Sequence, residues 1–202
     1  MENGFSFIAA SFIRSAKNVE EIRKLLKKFN GEEIKIISKI ENEEGVENLD
    51  EIIAASDGIM VARGDLGIEV PIKKLALYQK QMVEKSRTAG KFVITATHLL
   101  ETMIENPFPT RAESSDVFNS VLQKPDCLML SGETAVGKFP IESVKMMTSI
   151  IKEAEKNITY EHEHFAFKGY TPRDLEKKLL IKSGICTGEE LQAKAVIILT
   201  KS

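Results

Sequence analysis

Two neighbouring stretches decide the fold of this chain: ISKIEN at residues 37–42 and GIMVARGDLG at residues 58–67. Each starts as a short apolar run rich in β-branched residues and ends in charge, which is typical of a buried parallel strand that stops at the rim of a sheet. Because side chains on a strand alternate between its faces, Lys39 and Glu41 point to one side, and the next strand delivers Asp65. A lysine and two carboxylates at one edge suit a divalent cation and a phosphorylated substrate.

A strand followed by a helix occurs five times along the chain. The apolar runs predict strands at Phe5–Phe12, Ile34–Ile40, Gly58–Arg63, Phe92–Thr97 and Cys127–Ser131. The helical patterns that follow them are a stripe of Val19, Ile22, Leu26 and Phe29 behind a cap at Ser15 or Asn18, then Val46–Ala55, Ile72–Arg87, a segment ending at Lys124, and Ile141–Glu155. Regular alternation with short connections predicts parallel strands joined by right-handed crossovers.

Polar and reactive residues follow the carboxyl ends of four consecutive strands. They are Lys39 and Glu41, Arg63 and Asp65, Thr97 and His98, and Ser131 and Glu133. A (β/α) barrel and an open doubly wound sheet both collect their sites at this edge. We favour the barrel, because the residues come from four units and not from one switch point. The predicted fold class is therefore α/β, a partial TIM (β/α) barrel of about five βα units.

Composition excludes several classes of partner. The formal charge of -2, from 28 Lys and Arg against 30 Asp and Glu, offers no basic field for nucleic acid or an anionic membrane. No apolar run approaches the roughly 20 residues that cross a bilayer, and no basic and apolar leader precedes the first strand. We therefore expect a cytoplasmic protein that binds neither nucleic acid nor membrane. Cys127 and Cys186 are far apart, and we expect two reduced thiols.

The repeating pattern breaks near residue 157. We expect a catalytic barrel domain over residues 1–157, a linker over 158–170, and the beginning of a second α/β domain over 171–202, with one helix and a last strand at Ala195–Leu199. His162 and His164 alternate with glutamates in the linker. This spacing could bind a metal on a strand, but a solvated face is the better interpretation.

Six motifs together resemble the pyruvate kinase family, in its order and at its spacing from Phe5 to about Glu155. They are FIAASFIR at residues 7–14, Lys39 with Glu41, the Arg63-Gly64-Asp65 turn, ITAT at 94–97, ENP and PTRAE at 105–113, and MLSGETA at 129–135. Residues 194–202 are similar to the first strand of the regulatory domain of that family. The last three of these residues resemble the start of its effector-binding loop. The resemblance implies phosphoryl transfer between phosphoenolpyruvate and ADP, giving pyruvate and ATP, in glycolysis.

The resemblance also implies the cofactors and the roles of charged residues. The family uses a TIM barrel, Mg²⁺, usually K⁺, and usually a homo-tetramer. Glu41 and Asp65 are similar to its magnesium ligands, and Lys39 to the lysine that neutralises the phosphoryl group in flight. Hard oxygen ligands suit Mg²⁺, and a lysine is a point charge for a phosphoryl group whose charge spreads over its oxygens.

The neutral positions of the site follow from the same resemblance. The backbone N–H groups of Gly64 and Asp65 would bind the substrate carboxylate, and glycine permits the close approach. Thr97 would lie near the enolate carbon. Ser131 resembles the serine of the proton-relay path, where a hydroxyl relays protons only together with water or neighbouring groups.

The chain departs from the family at two positions and lacks a large part of it. His98-Leu99-Leu100 stands where Gln-Met-Leu is common, which could bring pH dependence near neutrality, and Ser6 stands where Asp is usual. The first barrel strands, the lid domain and the residues that bind ADP and K⁺ would precede Met1. We therefore expect the chain by itself to have negligible turnover and to keep weak metal affinity, with exposed sheet edges that favour self-association.

Alternative functions remain open from the sequence. One is a magnesium-dependent enolate lyase or aldolase on a related barrel, which needs no lysine for a travelling phosphoryl group. Another is a non-catalytic fragment that binds substrate or other subunits. Among single residues, Lys39 with Glu41 could be a rim salt bridge, and His98 a packed or capping residue.

Three further charged residues have structural alternatives. Arg63 could pair with Glu133 or Glu41 as a structural brace, which we favour over a direct catalytic role. Arg111 and Glu113 could cap a helix or form a subunit contact.

Overall fold

The sheet has the strand order that a barrel requires. In the computed structural model, which describes residues 4–158, 172–193 and 197, the strands are β1 (Phe7–Ala10), β2 (Lys35–Ile40), β3 (Gly58–Ala62), β4 (Phe92–Ala96) and β5 (Cys127–Met129). They lie side by side as β1-β2-β3-β4-β5, and every neighbouring pair is parallel. A doubly wound sheet would reverse its strand order at a switch point. The α/β class and the partial barrel are confirmed.

Helices follow each strand in the described residues. They are α1 (Ala16–Lys28), α2 (Glu43–Glu47), α3 (Leu49–Ala55), α4 (Arg63–Glu69), α5 (Ile72–Thr88), α6 (Arg111–Leu122), α7 (Gly132–Ala135), α8 (Pro140–Glu155) and α9 (Pro172–Glu190). A 3₁₀ turn covers Glu101–Ile104. None of these helices combines the length and the apolar character that crossing a membrane would need.

The two faces of the sheet differ in what covers them. One face packs against the helices in the main core, to which the strands contribute Ile36, Ile40, Ile59, Val61 and Val93. The other face carries a smaller cluster of Ile37, Met60 and Ala96, against which Ile94 and Met129 pack. Because side chains alternate along a strand, Lys39 lies on the face of Ile37 and not on the helix-covered face.

Several element boundaries differ from the sequence prediction. The single helix expected at Val46–Ala55 is two helices that meet at Asn48. The first of them, α2, begins earlier than expected, because the side chain of Asn42 caps it by accepting a hydrogen bond from Gly45 N at 2.8 Å. A Cβ at Gly45 would lie 2.7 Å from the carbonyl oxygen of Ile13, so the close approach of α2 to this carbonyl requires glycine.

The first helix also ends differently from its prediction. Phe29 was expected on the buried stripe of α1, but it forms the carboxyl-terminal cap of that helix and its side chain is 63 % exposed. Ser15, one of the two residues expected to cap α1, is its N-cap.

The chain divides into two compact units, residues 1–158 and 159–202. Of the second unit the structure describes α9, residues 191–193 and Ile197. The predicted linker, with His162 and His164, lies almost wholly outside the described residues, as does most of the strand expected at Ala195–Leu199. The three-part domain division remains a prediction.

Asp57 makes the stability of the first unit depend on pH. Its Oδ2 accepts hydrogen bonds from Ile36 N at 2.9 Å and from Arg23 Nη2 at 2.8 Å. Burial raises the pKa of this carboxyl, but the backbone bond and the Arg23 guanidinium outweigh it, so the pKa lies below its ordinary value of 3.8. A carboxyl whose pKa is lower in the folded chain stabilises the fold above its unfolded pKa and loses that effect as pH falls through the folded pKa.

We expect Asp57→Asn to lower the free energy of unfolding at pH 7 by about 1–2 kcal/mol, because charge-assisted hydrogen bonds are weakened. The difference from the parent should begin to shrink below about pH 4, where the unfolded carboxyl takes up a proton, and should vanish as pH falls through the lower pKa of the folded parent. Urea unfolding at pH 7, 5 and 3 measures it. Asp50→Asn is the matched control, since Asp50 pairs with Lys85 but is 78 % exposed, and it should change stability by less than about 0.5 kcal/mol. A pH-independent difference for Asp57→Asn would contradict the assignment.

Candidate active site

Lys39 and Glu41 form an ion pair at the carboxyl end of β2. Lys39 Nζ lies 2.6 Å from Glu41 Oε1, and the side chains are 24 % and 1 % exposed. The alternation of the strand therefore brings the ammonium and the carboxylate together as expected. Lys39 Nζ also donates to Ser11 Oγ at 3.0 Å, so the ammonium is held between the end of β2 and the turn after β1.

The turn after β1 completes the surroundings of Glu41. Phe12 has a left-handed backbone, with φ of 55°, and its N–H donates to Glu41 Oε2 at 2.6 Å. Such a conformation is costly for an aromatic residue and persists only where the surroundings hold it. Sequence reasoning missed the roles of Ser11 and Phe12, although both lie in the FIAASFIR motif.

One oxygen of the Glu41 carboxylate is suited to bind a divalent cation. Its Oε1 is buried and receives no well-directed hydrogen bond from the described residues, so the contact with Lys39 is an ion pair only. The described part of the chain contains no cluster of three Asp, Glu, His or Cys residues that could enclose a metal. Mg²⁺ is commonly held by one or two carboxylates together with water and substrate oxygens, so the donor set fits a magnesium ion shared with a substrate.

Gly64 and Thr97 meet at the adjoining strand ends. The N–H of Gly64 donates to Thr97 Oγ1 at 2.7 Å, and this hydroxyl donates in turn to the carbonyl of Ala96 at 2.6 Å. A Cβ at Gly64 would lie 3.4 Å from Thr97 Oγ1 and 3.5 Å from His98 Cε1, which are ordinary van der Waals distances, so these neighbours do not by themselves require glycine here. Asp65 is the next residue of α4 and is exposed.

Arg63 is buried beneath this turn and makes a brace other than the expected one. Its side chain donates to the carbonyls of Thr97 and His98 and to the side chains of Gln79 and Asp116. These contacts use all five N–H donors of a guanidinium. The predicted pairing of Arg63 with Glu133 or Glu41 is therefore wrong: its ion pair is with Asp116 at 2.8 Å.

Glu133 joins the loops that follow β4 and β5. It is fully buried, its Oε1 accepts from Leu100 N at 3.0 Å and its Oε2 accepts from Ser131 N at 2.8 Å. The partners of this carboxylate are thus backbone amides. They fix Ser131, which is half-buried, at the carboxyl edge of the sheet.

The structure also places three residues whose roles the sequence left open, His98, Glu113 and Arg111. His98 is exposed, with φ of 51°, so the expected packed or capping role is not what the structure shows. Glu113 forms a capping box with Thr110 at the start of α6 and also accepts from Thr102 N at 2.7 Å. Burial raises the pKa of Glu113, but the amides of Thr102 and Thr110 outweigh it and hold the pKa below 4.5. Arg111, the other residue of the pair, is exposed.

The fold and the site define a class: a parallel (β/α) barrel-type sheet with a lysine, acidic residues and a hydroxyl at the carboxyl edge of its strands. Comparison with known proteins identifies the family within this class. The family model described as the barrel domain of pyruvate kinase matches residues 1–144. The chain belongs to the pyruvate kinase family.

Curated relatives agree over most of the chain. It is 46 % identical over 197 residues to a pyruvate kinase of Clostridium perfringens, covering 97 % of this chain and 42 % of that protein. It is 49 % identical over 206 residues to one of Dictyostelium discoideum, covering 100 % of this chain and 40 % of that protein. The chain thus spans about two-fifths of the length of these relatives.

Proposed function

We propose that the protein transfers a phosphoryl group between phosphoenolpyruvate and ADP, giving pyruvate and ATP. The observation that carries the proposal is the Lys39 ammonium, which lies 2.6 Å from a buried carboxylate of Glu41 at the carboxyl edge of a sheet of the pyruvate kinase family. We assign the protein to glycolysis in the cytoplasm.

The charged residues have distinct roles in this proposal. Lys39 holds a positive charge where the phosphoryl group passes, which stabilises the charge on its equatorial oxygens. Glu41 and Asp65 hold Mg²⁺. When bound, the ion polarises substrate oxygens and offsets their negative charge. Glu41 is suited to share its charge between Lys39 and a cation, since Oε1 pairs with the Lys39 ammonium while Oε2 accepts from Phe12 N.

The uncharged groups bind and orient the substrate. Its carboxylate accepts from the N–H groups of Gly64 and Asp65. Because Gly64 N now donates to Thr97 Oγ1, the carboxylate takes the place of that hydroxyl. Thr97 then turns towards the enolate carbon, and Ser131 relays protons with water.

The wider assembly follows the family. We propose that the enzyme uses K⁺, binds ADP and forms a homo-tetramer. We propose neither nucleic acid nor a membrane as a partner.

Metal binding tests the ligands directly. We expect Mn²⁺, followed by electron paramagnetic resonance of the free ion, to bind the chain weakly and to lose about tenfold or more in affinity in Glu41→Gln and in Asp65→Asn. Glu44→Gln is the control, because Glu44 is exposed and pairs only with the exposed Arg14 in the described residues. Unchanged binding in Glu41→Gln and Asp65→Asn would reject them as ligands.

Turnover tests the reaction. The complete product of the gene should form pyruvate from phosphoenolpyruvate only when ADP, Mg²⁺ and K⁺ are present, as measured by coupled oxidation of NADH. Pyruvate formed from a larger keto-acid aldol without ADP would indicate a lyase. Mn²⁺ binding without any turnover in the complete product would indicate a non-catalytic protein.

A further inference from the structure

The turn that carries Thr97 has a strained backbone. Thr97 and His98 have φ values of 67° and 51°, in the left-handed region. This region is unfavourable for non-glycine residues and more so for a β-branched one. Two consecutive residues in this conformation need contacts that hold them there.

The Arg63 side chain supplies such contacts. Its Nε and Nη2 donate to the Thr97 carbonyl at 3.0 and 2.9 Å, and Nη2 donates to the His98 carbonyl at 2.7 Å. One planar guanidinium thereby fixes two successive carbonyls in the orientation that the left-handed turn gives them. A lysine ammonium could not reproduce this fork.

Arg63 is itself fixed from the other side. Nη1 donates to Asp116 Oδ2 at 2.8 Å and to Gln79 Oε1 at 3.3 Å. Gln79 is buried and donates to Ser120 Oγ and Gln123 Oε1, both at 3.1 Å. The orientation of the guanidinium therefore depends on side chains of α5 and α6 and on the residue that follows α6.

We propose that Arg63 is a positioning residue that fixes the backbone of Thr97 and His98, and with it the point from which the Thr97 hydroxyl reaches the Gly64 amide or a substrate, with Asp116 as its anchor on α6. The proposal rests on the proposed function for the role of Thr97, but the geometry that it explains is independent of activity. Arg63 has no contact with a reacting atom in this assignment. It sets the angle at which Thr97 meets the substrate.

The Gly64 amide reports this geometry directly. It donates to Thr97 Oγ1, so loss of the turn should expose this amide to exchange with solvent while the central strands stay closed. We expect Arg63→Lys to raise the hydrogen-exchange rate of Gly64, measured by NMR, about tenfold or more relative to that of Val61 in β3. Asp116→Asn, which keeps an acceptor but loses the charge, should raise it by a smaller factor.

Arg23 provides a matched control. It also donates to a backbone carbonyl, that of Ala55, and to a carboxylate, Asp57, but it does so beside the opposite end of β3. Arg23→Lys should leave the ratio of Gly64 to Val61 exchange within about twofold of the parent, whatever it does to global stability. This comparison separates local positioning from general loss of structure.

The kinetic arm uses the complete gene product. Arg63→Lys should lower kcat for pyruvate formation about tenfold or more and change KM for phosphoenolpyruvate by less than about threefold, since substrate contacts remain while Thr97 is misaligned. Unchanged Gly64 exchange in folded Arg63→Lys overturns the proposal. If Arg63→Lys does not fold, an unchanged ratio in Asp116→Asn overturns it. Raised exchange without phosphoryl transfer in the parent supports the positioning geometry and refutes only the proposed reaction.

Discussion

Replacing Lys39 by methionine in the complete gene product is expected to lower kcat for pyruvate formation by about a thousandfold, the scale at which a single stabilising charge contributes to phosphoryl transfer. Methionine keeps much of the apolar stem of the lysine but removes its charge. The substitution also leaves the Glu41 carboxylate, which is 1 % exposed, without its counter-ion. Steady-state measurement of NADH oxidation with lactate dehydrogenase as coupling enzyme gives kcat and KM separately.

Two further variants make this prediction specific. Lys39→Arg keeps the charge but presents a planar fork, and it should recover only part of the activity. Lys35→Met removes a lysine from the amino-terminal end of the same strand, where Lys35 Nζ lies 3.7 Å from Asp57, and it should leave kcat within about twofold. More than a tenth of the parent activity in Lys39→Met would refute the role given to this ammonium.

Replacing Glu133 by alanine should give the largest loss of stability, about 3 kcal/mol or more. The substitution leaves the amides of Leu100 and Ser131 without their acceptors, and each buried unsatisfied donor costs about 1–3 kcal/mol. The fully buried side chain also leaves a cavity. Urea unfolding followed by far-ultraviolet circular dichroism measures the free energy of unfolding.

Glu105→Ala is the control for Glu133→Ala. Glu105 is a glutamate whose ion pair with Lys138 joins two largely exposed side chains, so the loss should stay below about 1 kcal/mol. Glu133→Gln should fall between the two, because an amide keeps one acceptor and turns a donor towards one of the backbone N–H groups. Equal stability of Glu133→Ala and Glu105→Ala would show that the buried carboxylate is not the brace described here.

The central strands could be predicted from sequence because their pattern is local. The runs that became β2, β3 and β4 are apolar, β-branched and bounded by charge, and they were located to within one or two residues. Alternation along β2 also placed Lys39 beside Glu41 correctly. Strand pairing order followed from the regular alternation of strands with helices, since crossovers of this length join parallel neighbours.

What sequence could not supply was contact between distant segments. Arg63 and Asp116 are 53 positions apart, and no periodic pattern links them. Nearby acidic residues at the same strand edge made Glu41 and Glu133 the plausible partners, but buried amides and Lys39 had already taken those carboxylates. The prediction that Phe29 is buried was wrong for a different reason. Phe29 falls on the apolar stripe of α1, but it lies where that helix ends.

The hydrogen bond between Gly64 and Thr97 occupies the amide that we propose for the substrate carboxylate. The Gly64 amide already donates to the Thr97 hydroxyl oxygen. An anion that binds there therefore replaces one hydrogen-bond acceptor with another, and no hydrogen bond is gained. Simple anions with one or two points of attachment are therefore disfavoured occupants. A ligand that contacts several groups at this edge of the sheet at once can replace the Thr97 hydroxyl. The hydroxyl is then released next to the bound ligand.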